Sequence, residues 1–421
     1  MSATSMFERL SEERIGHGFL GLLPDSEGMT VGELITERRN LFTGGFTTPI
    51  LALSAESIDR DLVLMEQYST THDLNFAPYG KVCASSQILH RQRAKGAWGI
   101  TAATPHQVRA YRAFGIQRVF LASELIDAAM LGWLARELAA DVDFRFVAFV
   151  DSVRGVELMD AALHKAGAPR PVEVVIELGA GKGAGTGVRT ADQCMMIADA
   201  VASVPTLRLV GIAGHEGEVP GADYTKVTTW LQQLIKIATD LDKAGRFTDT
   251  KEIIVSVAAD TWFHAVTAAF AQIPPLSRPL LKLARTGTPV SQGSQQNPFD
   301  DHFDKSVPNT GLRLWTQVVS LPEPGQAFIN TGKIDTIQDL NLSSVQVVRH
   351  TDGETHLAAG VTLARVCEHH AQLKLTDAAD LEVGDWIGLS LPYTSTPYET
   401  WPLIPLVQAD GTIIDCIRSL R

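Results

Sequence analysis

Cysteine is scarce and scattered: Cys83, Cys194, Cys367 and Cys416 are the four in 421 residues, and no two make a CxxC pair. That spacing argues against a disulfide framework and fits a reducing compartment. Basic runs are missing too. The formal charge of −12 leaves no clustered Lys and Arg to neutralise phosphates, which argues against a nucleic-acid partner. No stretch approaches the roughly 20 apolar residues needed to span a bilayer. The start, Met1 to Arg9, has neither the basic flank nor the apolar centre of a signal peptide. The expectation is a cytoplasmic protein with no membrane partner. There is no extended low-complexity tract, and no repeat beyond an alternation of strand and helix patterns.

What is present is ordinary for a soluble enzyme, with 45% hydrophobic and 20% charged residues. The length fits one large barrel plus a smaller domain. Short runs rich in Val, Ile and Phe recur at Pro49–Leu53, Phe76–Tyr79, Gly99–Ala102, Val119–Ala122, Phe144–Val150, Val172–Leu178, Leu207–Ile212 and Ile253–Val257. Amphipathic helical patterns separate them, from Ser54–His72 to Thr225–Lys243. Repeated β–α units imply a parallel sheet with crossover helices. About eight of them predict an α/β fold of the (β/α)8 TIM-barrel type, with the active site at the carboxyl ends of the strands. The doubly wound open sheet competes, and periodicity does not separate the two.

From Thr288 to Pro298 the chain is polar and turn-rich, as at a domain join or an active-site loop. Beyond it, short alternating runs between Leu312 and Arg418 predict an antiparallel β domain. The expected division is an N-terminal segment 1–46 packing on that domain, a barrel over 47–300, and a C-terminal β domain over 301–421.

Lys81 ends a strand-like run in Ala77-Pro78-Tyr79-Gly80-Lys81. A lysine at an early strand end of a barrel is partly desolvated, which lowers its pKa and frees the amine to attack a carbonyl. A surface lysine is the ordinary alternative. Together with Gln92 to Thr101, which carries Gly96-Ala97-Trp98-Gly99, the segment resembles the D-serine dehydratase, D-threonine aldolase and amino-acid deaminase family. These are pyridoxal-phosphate enzymes on an alanine-racemase-like barrel. The resemblance spans about Thr48 to Arg418 and includes Trp401-Pro402-Leu403-Ile404-Pro405. It implies that Lys81 carries the cofactor as a Schiff base, that a small amino acid is the substrate, and that the enzyme is a homodimer.

Several positions depart from the family's pattern. Tyr79 stands where histidine is common, keeping an aromatic face but not a group that titrates near neutral pH. His215, in Gly214-His215-Glu216-Gly217, stands where tyrosine is usual beside the cofactor ring; it either contacts that ring and moves protons or is a satisfied strand-end histidine. The phosphate turn reads Ser256-Val257-Ala258-Ala259-Asp260. Ala259 still offers an N–H, while Asp260 either points a charge at the phosphate or caps a helix. Arg285-Thr286-Gly287 resembles the second phosphate turn, keeping the Thr286 hydroxyl and Gly287. The glycine-rich stretch Gly179 to Gly187 is not a P-loop, since Lys182 is followed by glycine. It is either a plain connection or an anion-binding loop. Leu391 and Tyr393 occupy the places of the family's His-x-Cys metal pair, so no divalent metal is expected. His369 and His370 are adjacent and make poor substitutes.

These residues predict a pyridoxal-phosphate-dependent lyase acting on a D-amino acid or a related β-substituted amino acid. Lys81 and His215 are its candidate catalytic groups, and Tyr79, Ala259, Asp260, Thr286 and Gly287 its cofactor contacts. Two other readings stay open. One is a catalytically degenerate homologue serving as a binding or scaffold module, and the other a repurposed biosynthetic enzyme. A metal-dependent hydrolase ranks last, for want of paired His or carboxylate ligands at strand ends.

Overall fold

A computed structural model describes residues 9–22, 24–80, 85–259, 262–286, 311–335, 344–391 and 397–419. The strands, in chain order, start with β1 (Ile50–Ser54). Next come β2 (Asn75–Phe76), β3 (Ile100–Ala102), β4 (Arg118–Glu124), β5 (Arg145–Val150), β6 (Val172–Leu178), β7 (Leu207–Gly214), β8 (Ile253–Val257) and β9 (Leu280–Ala284). Last are β10 (Leu312–Glu323), β11 (Gln326–Ile329), β12 (Ser344–Arg349), β13 (Thr355–Leu357), β14 (Val361–Val366), β15 (Ala371–Leu375), β16 (Trp386–Ser390), β17 (Leu403–Val407) and β18 (Ile413–Arg418). The chain divides into two compact units: 65–81 with 92–287, and 1–64 with 82–91 and 288–421.

The first unit is the predicted barrel. Its parallel sheet runs β2-β9-β8-β7-β6-β5-β4-β3. The ring closes between the segment after β2 and β3: Trp98 N–H donates to Phe76 O at 2.7 Å, Thr101 N–H to Pro78 O at 2.8 Å, and Gly80 N–H to Thr101 O at 3.0 Å. Helices follow the strands, and several start on a hydroxyl or carboxylate cap. Asp127 accepts from Met130 N at 2.8 Å, Ser152 from Gly155 N at 3.1 Å, and Thr190 from Gln193 N at 3.2 Å. Each cap contributes about 1 kcal/mol and fixes where the chain turns back from the strand ends. The lumen is filled by Ala77, Trp98, Phe120, Val147, Phe149, Val175, Val210, Ala213, Ile254, Leu281 and Leu283.

Two strand assignments differ from the sequence expectation. Pro49–Leu53 reads as the first barrel strand, yet β1 pairs with β10 and β17 in the other unit. The missing barrel strand is β9, which the apolar pattern did not mark. Its Lys282 breaks the run and pairs with Asp73 at 2.9 Å, and a proline-rich approach precedes it.

The second unit contains the expected β domain, antiparallel apart from the β1–β17 pair, in the order β13-β12-β16-β10-β1-β17-β18. β11, β14 and β15 extend it from β10. The N-terminal segment packs here: Ile15, Val31 and Leu34 share a core with Leu403, Ile413 and Cys416. Among the described residues, no helix is long and apolar enough to cross a membrane.

Candidate active site

Side chains alternate along a strand, so a residue two positions beyond a lumen residue also faces the lumen, one layer higher. Stepping up from Ala77, Phe149, Val175, Ala213, Ile254 and Leu283 reaches Tyr79, Asp151, Glu177, His215, Ser256 and Arg285. Phe120 leads through Ala122 to Glu124. These seven form the top layer at the carboxyl ends of the strands, where barrel enzymes place their chemistry.

Arg285 lies across the middle of this layer and is 1% exposed. It donates to the Gly214 carbonyl at 2.6 Å and to the Tyr79 hydroxyl at 3.4 Å. Its guanidinium lies 5.2 Å from the Phe120 ring centroid and 4.9 Å from that of Phe149. Two buried polar atoms of the layer, Arg285 Nε and Ser256 Oγ, have no hydrogen-bond partner among the described residues.

The turns after β8 and β9 sit on one side of the ring. Ala258 and Ala259 are wholly buried, and Ala259 adopts φ +59°, a left-handed conformation costly for a residue with a Cβ. Such a turn aims consecutive N–H groups at one point. Thr286 is buried beside Arg285, whose own N–H is held by Val257 O at 2.9 Å. Loops after the seventh and eighth barrel strands are a recurrent phosphate site in this architecture.

Three carboxylates occupy the opposite arc, at the ends of β4, β5 and β6. Oxygens of Glu124, Asp151 and Glu177 all lie within 4.8 Å of one another. Burial, with the charge of Glu177 next in weight, pushes the Glu124 carboxyl up to about 8, so it keeps its proton at neutral pH. Burial raises Glu177 as well, against hydrogen bonds from Thr186 and Glu124. The expectation that strand ends carry no grouped carboxylates is therefore corrected. Each is a lone acid in sequence, and only ring closure makes them neighbours.

The glycine-rich stretch is a braced connection. Arg189 donates to the carbonyls of Ala184 at 3.0 Å, Gly185 at 2.6 Å and Thr186 at 2.9 Å. Two of the loop's amides are already engaged by carboxylates: Gly185 N–H by Glu218 at 3.1 Å and Gly187 N–H by Asp151 at 3.4 Å. Those amides do not face an external anion. Gly187 has φ +89°, and a Cβ there would meet Gly179 N at 2.6 Å, so glycine is required.

Of the predicted site residues, Tyr79, His215, Ala259 and Thr286 come together at this end of the barrel. His215 stands at the N-cap position of the short helix Glu216–Glu218, its Nδ1 3.9 Å from Glu218 Oε1. Lys81, Asp260, Gly287 and Tyr393 lie outside the described residues. Leu391 is a buried aliphatic side chain in the second unit. The sequence reading gave no role to Glu124, Asp151 and Glu177, and it took Ser256 and Arg285 only as parts of turns. The available signal was their position, two or four residues beyond lumen-facing apolar residues.

A family model described as "Putative serine dehydratase domain" matches residues 311–407. A 3-hydroxy-D-aspartate aldolase of Paracoccus denitrificans (strain Pd 1222) is 27% identical over 202 residues, 47% of this chain and 50% of that protein. The chain thus spans about half the length of the curated relatives it matches. Among solved structures, D-threonine aldolase from Filomicrobium marinum superposes with TM-score 0.69 at 20% identity, covering 89% of this chain and 95% of that one. D-threo-3-hydroxyaspartate dehydratase from Delftia sp. HT23 gives 0.71 at 18% identity, covering 91% and 99%. At these identities the structural likeness is one of fold.

Proposed function

We propose that the chain is a member of the D-serine dehydratase and D-threonine aldolase family, and a pyridoxal-phosphate-dependent lyase acting on a D-amino acid with a β-substituent. The observation that carries this reading is the pairing of an anion-ready turn at Ala258-Ala259 with the buried Arg285 and Thr286, in the layer that Tyr79 also enters. A phosphorylated aromatic cofactor fits there. The Ala259 turn and the Thr286 hydroxyl would hold its phosphate, and Arg285 Nε and Ser256 Oγ are buried polar atoms that it can satisfy.

When bound, pyridoxal phosphate supplies an electron sink for negative charge at the substrate Cα. The chain's residues do the rest. Lys81, two residues beyond Tyr79, would hold the cofactor through its amine and carry the Cα proton. His215 would exchange protons at the rim. The family's metal acts as a Lewis acid on the β-hydroxyl, and Leu391 and Tyr393 are not its ligands. Glu124 supplies the alternative: a carboxyl that keeps its proton at neutral pH can donate it from Oε to a departing hydroxyl.

One observation favours the second reading, a barrel kept as a binding module. Asp151 and Glu177 place further acidic groups in the same layer as the phosphate turn, which opposes a dianion. The absorption spectrum separates the two. Wild-type protein with added pyridoxal phosphate should give a visible band that borohydride removes, and Lys81→Ala should lack it. A folded wild-type protein with no such band would support the binding module. A screen of D-β-hydroxy amino acids then tests elimination against retro-aldol cleavage.

A further inference from the structure

His350 follows β12 and His356 lies on β13, opposite Val348 in the antiparallel register. One residue, Arg349, separates Val348 from His350, so both imidazoles project from one face of the hairpin. Their Nε2 atoms are 2.8 Å apart. The other nitrogen of each ring is already committed. His350 Nδ1 lies 2.9 Å from Oδ2 of Asp385, whose side chain is 1% exposed. The same oxygen accepts the Glu382 N–H at 2.8 Å. His356 Nδ1 lies 2.9 Å from the Leu357 carbonyl oxygen.

A carboxylate and a carbonyl only accept, so both Nδ1 atoms are donors. Each neutral ring then presents an unprotonated Nε2, and the two lone pairs face each other at hydrogen-bond distance. That contact is repulsive unless a cation lies between or beside them. Asp380 brings a third donor, with Oδ2 3.8 Å from His350 Nε2, and the three ligand atoms all fall within 4.8 Å of one another.

We infer that His350, His356 and Asp380 form a divalent transition-metal site of the zinc type, with Asp385 and the Leu357 carbonyl holding the two rings. Zinc takes imidazole nitrogen at about 2.0–2.1 Å, so two nitrogens around it stand about 3.3 Å apart, a small widening of the present contact. A carboxylate behind a ligating histidine fixes its tautomer and strengthens the ligand. Asp380 is 82% exposed, which leaves the fourth position to water. The site is separate from the Leu391 position. β16 pairs Trp386 with Arg349 near this site, whereas Leu391 follows the strand's other end. Five residues of strand put them about 15 Å apart. Bound metal would tie the β12–β13 hairpin to the loop before β16.

The test uses the full chain without a histidine tag, stripped by chelator and titrated with Zn²⁺ in a calorimeter and in thermal melts. One ion per chain and a raised Tm are expected, and Co²⁺ should give a visible ligand-field band. His356→Ala should abolish all three. Asp380→Asn, at an exposed position that leaves folding intact, should weaken zinc about tenfold, and Asp385→Asn about 10–100-fold. Glu177→Gln in the barrel should leave the zinc stoichiometry and affinity unchanged. Absence of saturable zinc in the wild type would overturn the site and leave a proton shared between the rings. Binding that survives His356→Ala, or is lost in Glu177→Gln, would do the same.

Discussion

Arg285 donates a 2.6 Å hydrogen bond to the carbonyl of Gly214, linking the end of β9 to the end of β7 across the top of the barrel. A hydrogen bond from a charged donor in a buried setting contributes about 1.5–3 kcal/mol, and the flanking aromatic faces add to it. Arg285→Ala should therefore lower the urea midpoint by the equivalent of about 3 kcal/mol. Arg285→Met keeps most of the packing without a buried charge and should recover much of that loss. Neither variant should bind pyridoxal phosphate as the wild type does. If Arg285→Met binds it normally, the cofactor contact assigned to Arg285 is wrong.

Glu124 makes stability depend on pH in a definite direction. Its carboxyl titrates at about 8 in the folded protein and in the ordinary carboxylate range when unfolded. The folded state thus holds more protons between those limits, and stability falls as pH rises through that window. Melting curves from about pH 5 to pH 9 should show Tm declining. Glu124→Gln should flatten the decline, and lyase activity, if Glu124 is the acid, should drop with kcat more than with KM.

Ala259 carries a Cβ at φ +59°. Glycine is at ease there, so Ala259→Gly should gain up to about 1 kcal/mol by chemical denaturation while leaving the turn's N–H groups in place. A loss of stability would mean that packing of the methyl group outweighs the backbone strain.

Arg189 gathers the carbonyls of the glycine-rich connection. Arg189→Ala should cost about 1 kcal/mol globally and speed amide exchange and proteolysis between residues 180 and 188. Unchanged exchange in that segment would show that the loop is held by its carboxylate contacts alone.

The barrel was legible because its lumen is an apolar layer repeated every β–α unit, from Phe120 and Phe149 to Ile254. The pattern could not tell which sheet a short apolar run joins. Ile-Leu-Ala-Leu-Ser reads like a barrel strand, and only its distant partners Leu312 and Leu406 show otherwise. β9 was missed for the opposite reason, since Lys282 disguises a buried strand. The site followed the same division. That Tyr79, His215, Ala259 and Thr286 lie at or just beyond barrel strand ends was readable from local resemblance. The carboxylates on β4, β5 and β6 meet only through closure, and the facing of His350 and His356 depends on a hairpin register that spacing alone does not set.

The pairing of β1 has a consequence for how the chain is made. Leu53 emerges early from the ribosome, yet its partners are Leu312 on one side and Leu406 on the other. Through the synthesis of the whole barrel, β1 presents two open hydrogen-bonding edges on an apolar strand, the kind of surface that templates aggregation. The barrel unit, 65–81 with 92–287, carries its own lumen core and can fold while β1 waits. Conditions that slow translation near the end of the chain should therefore lower soluble yield more than conditions that slow it within the barrel.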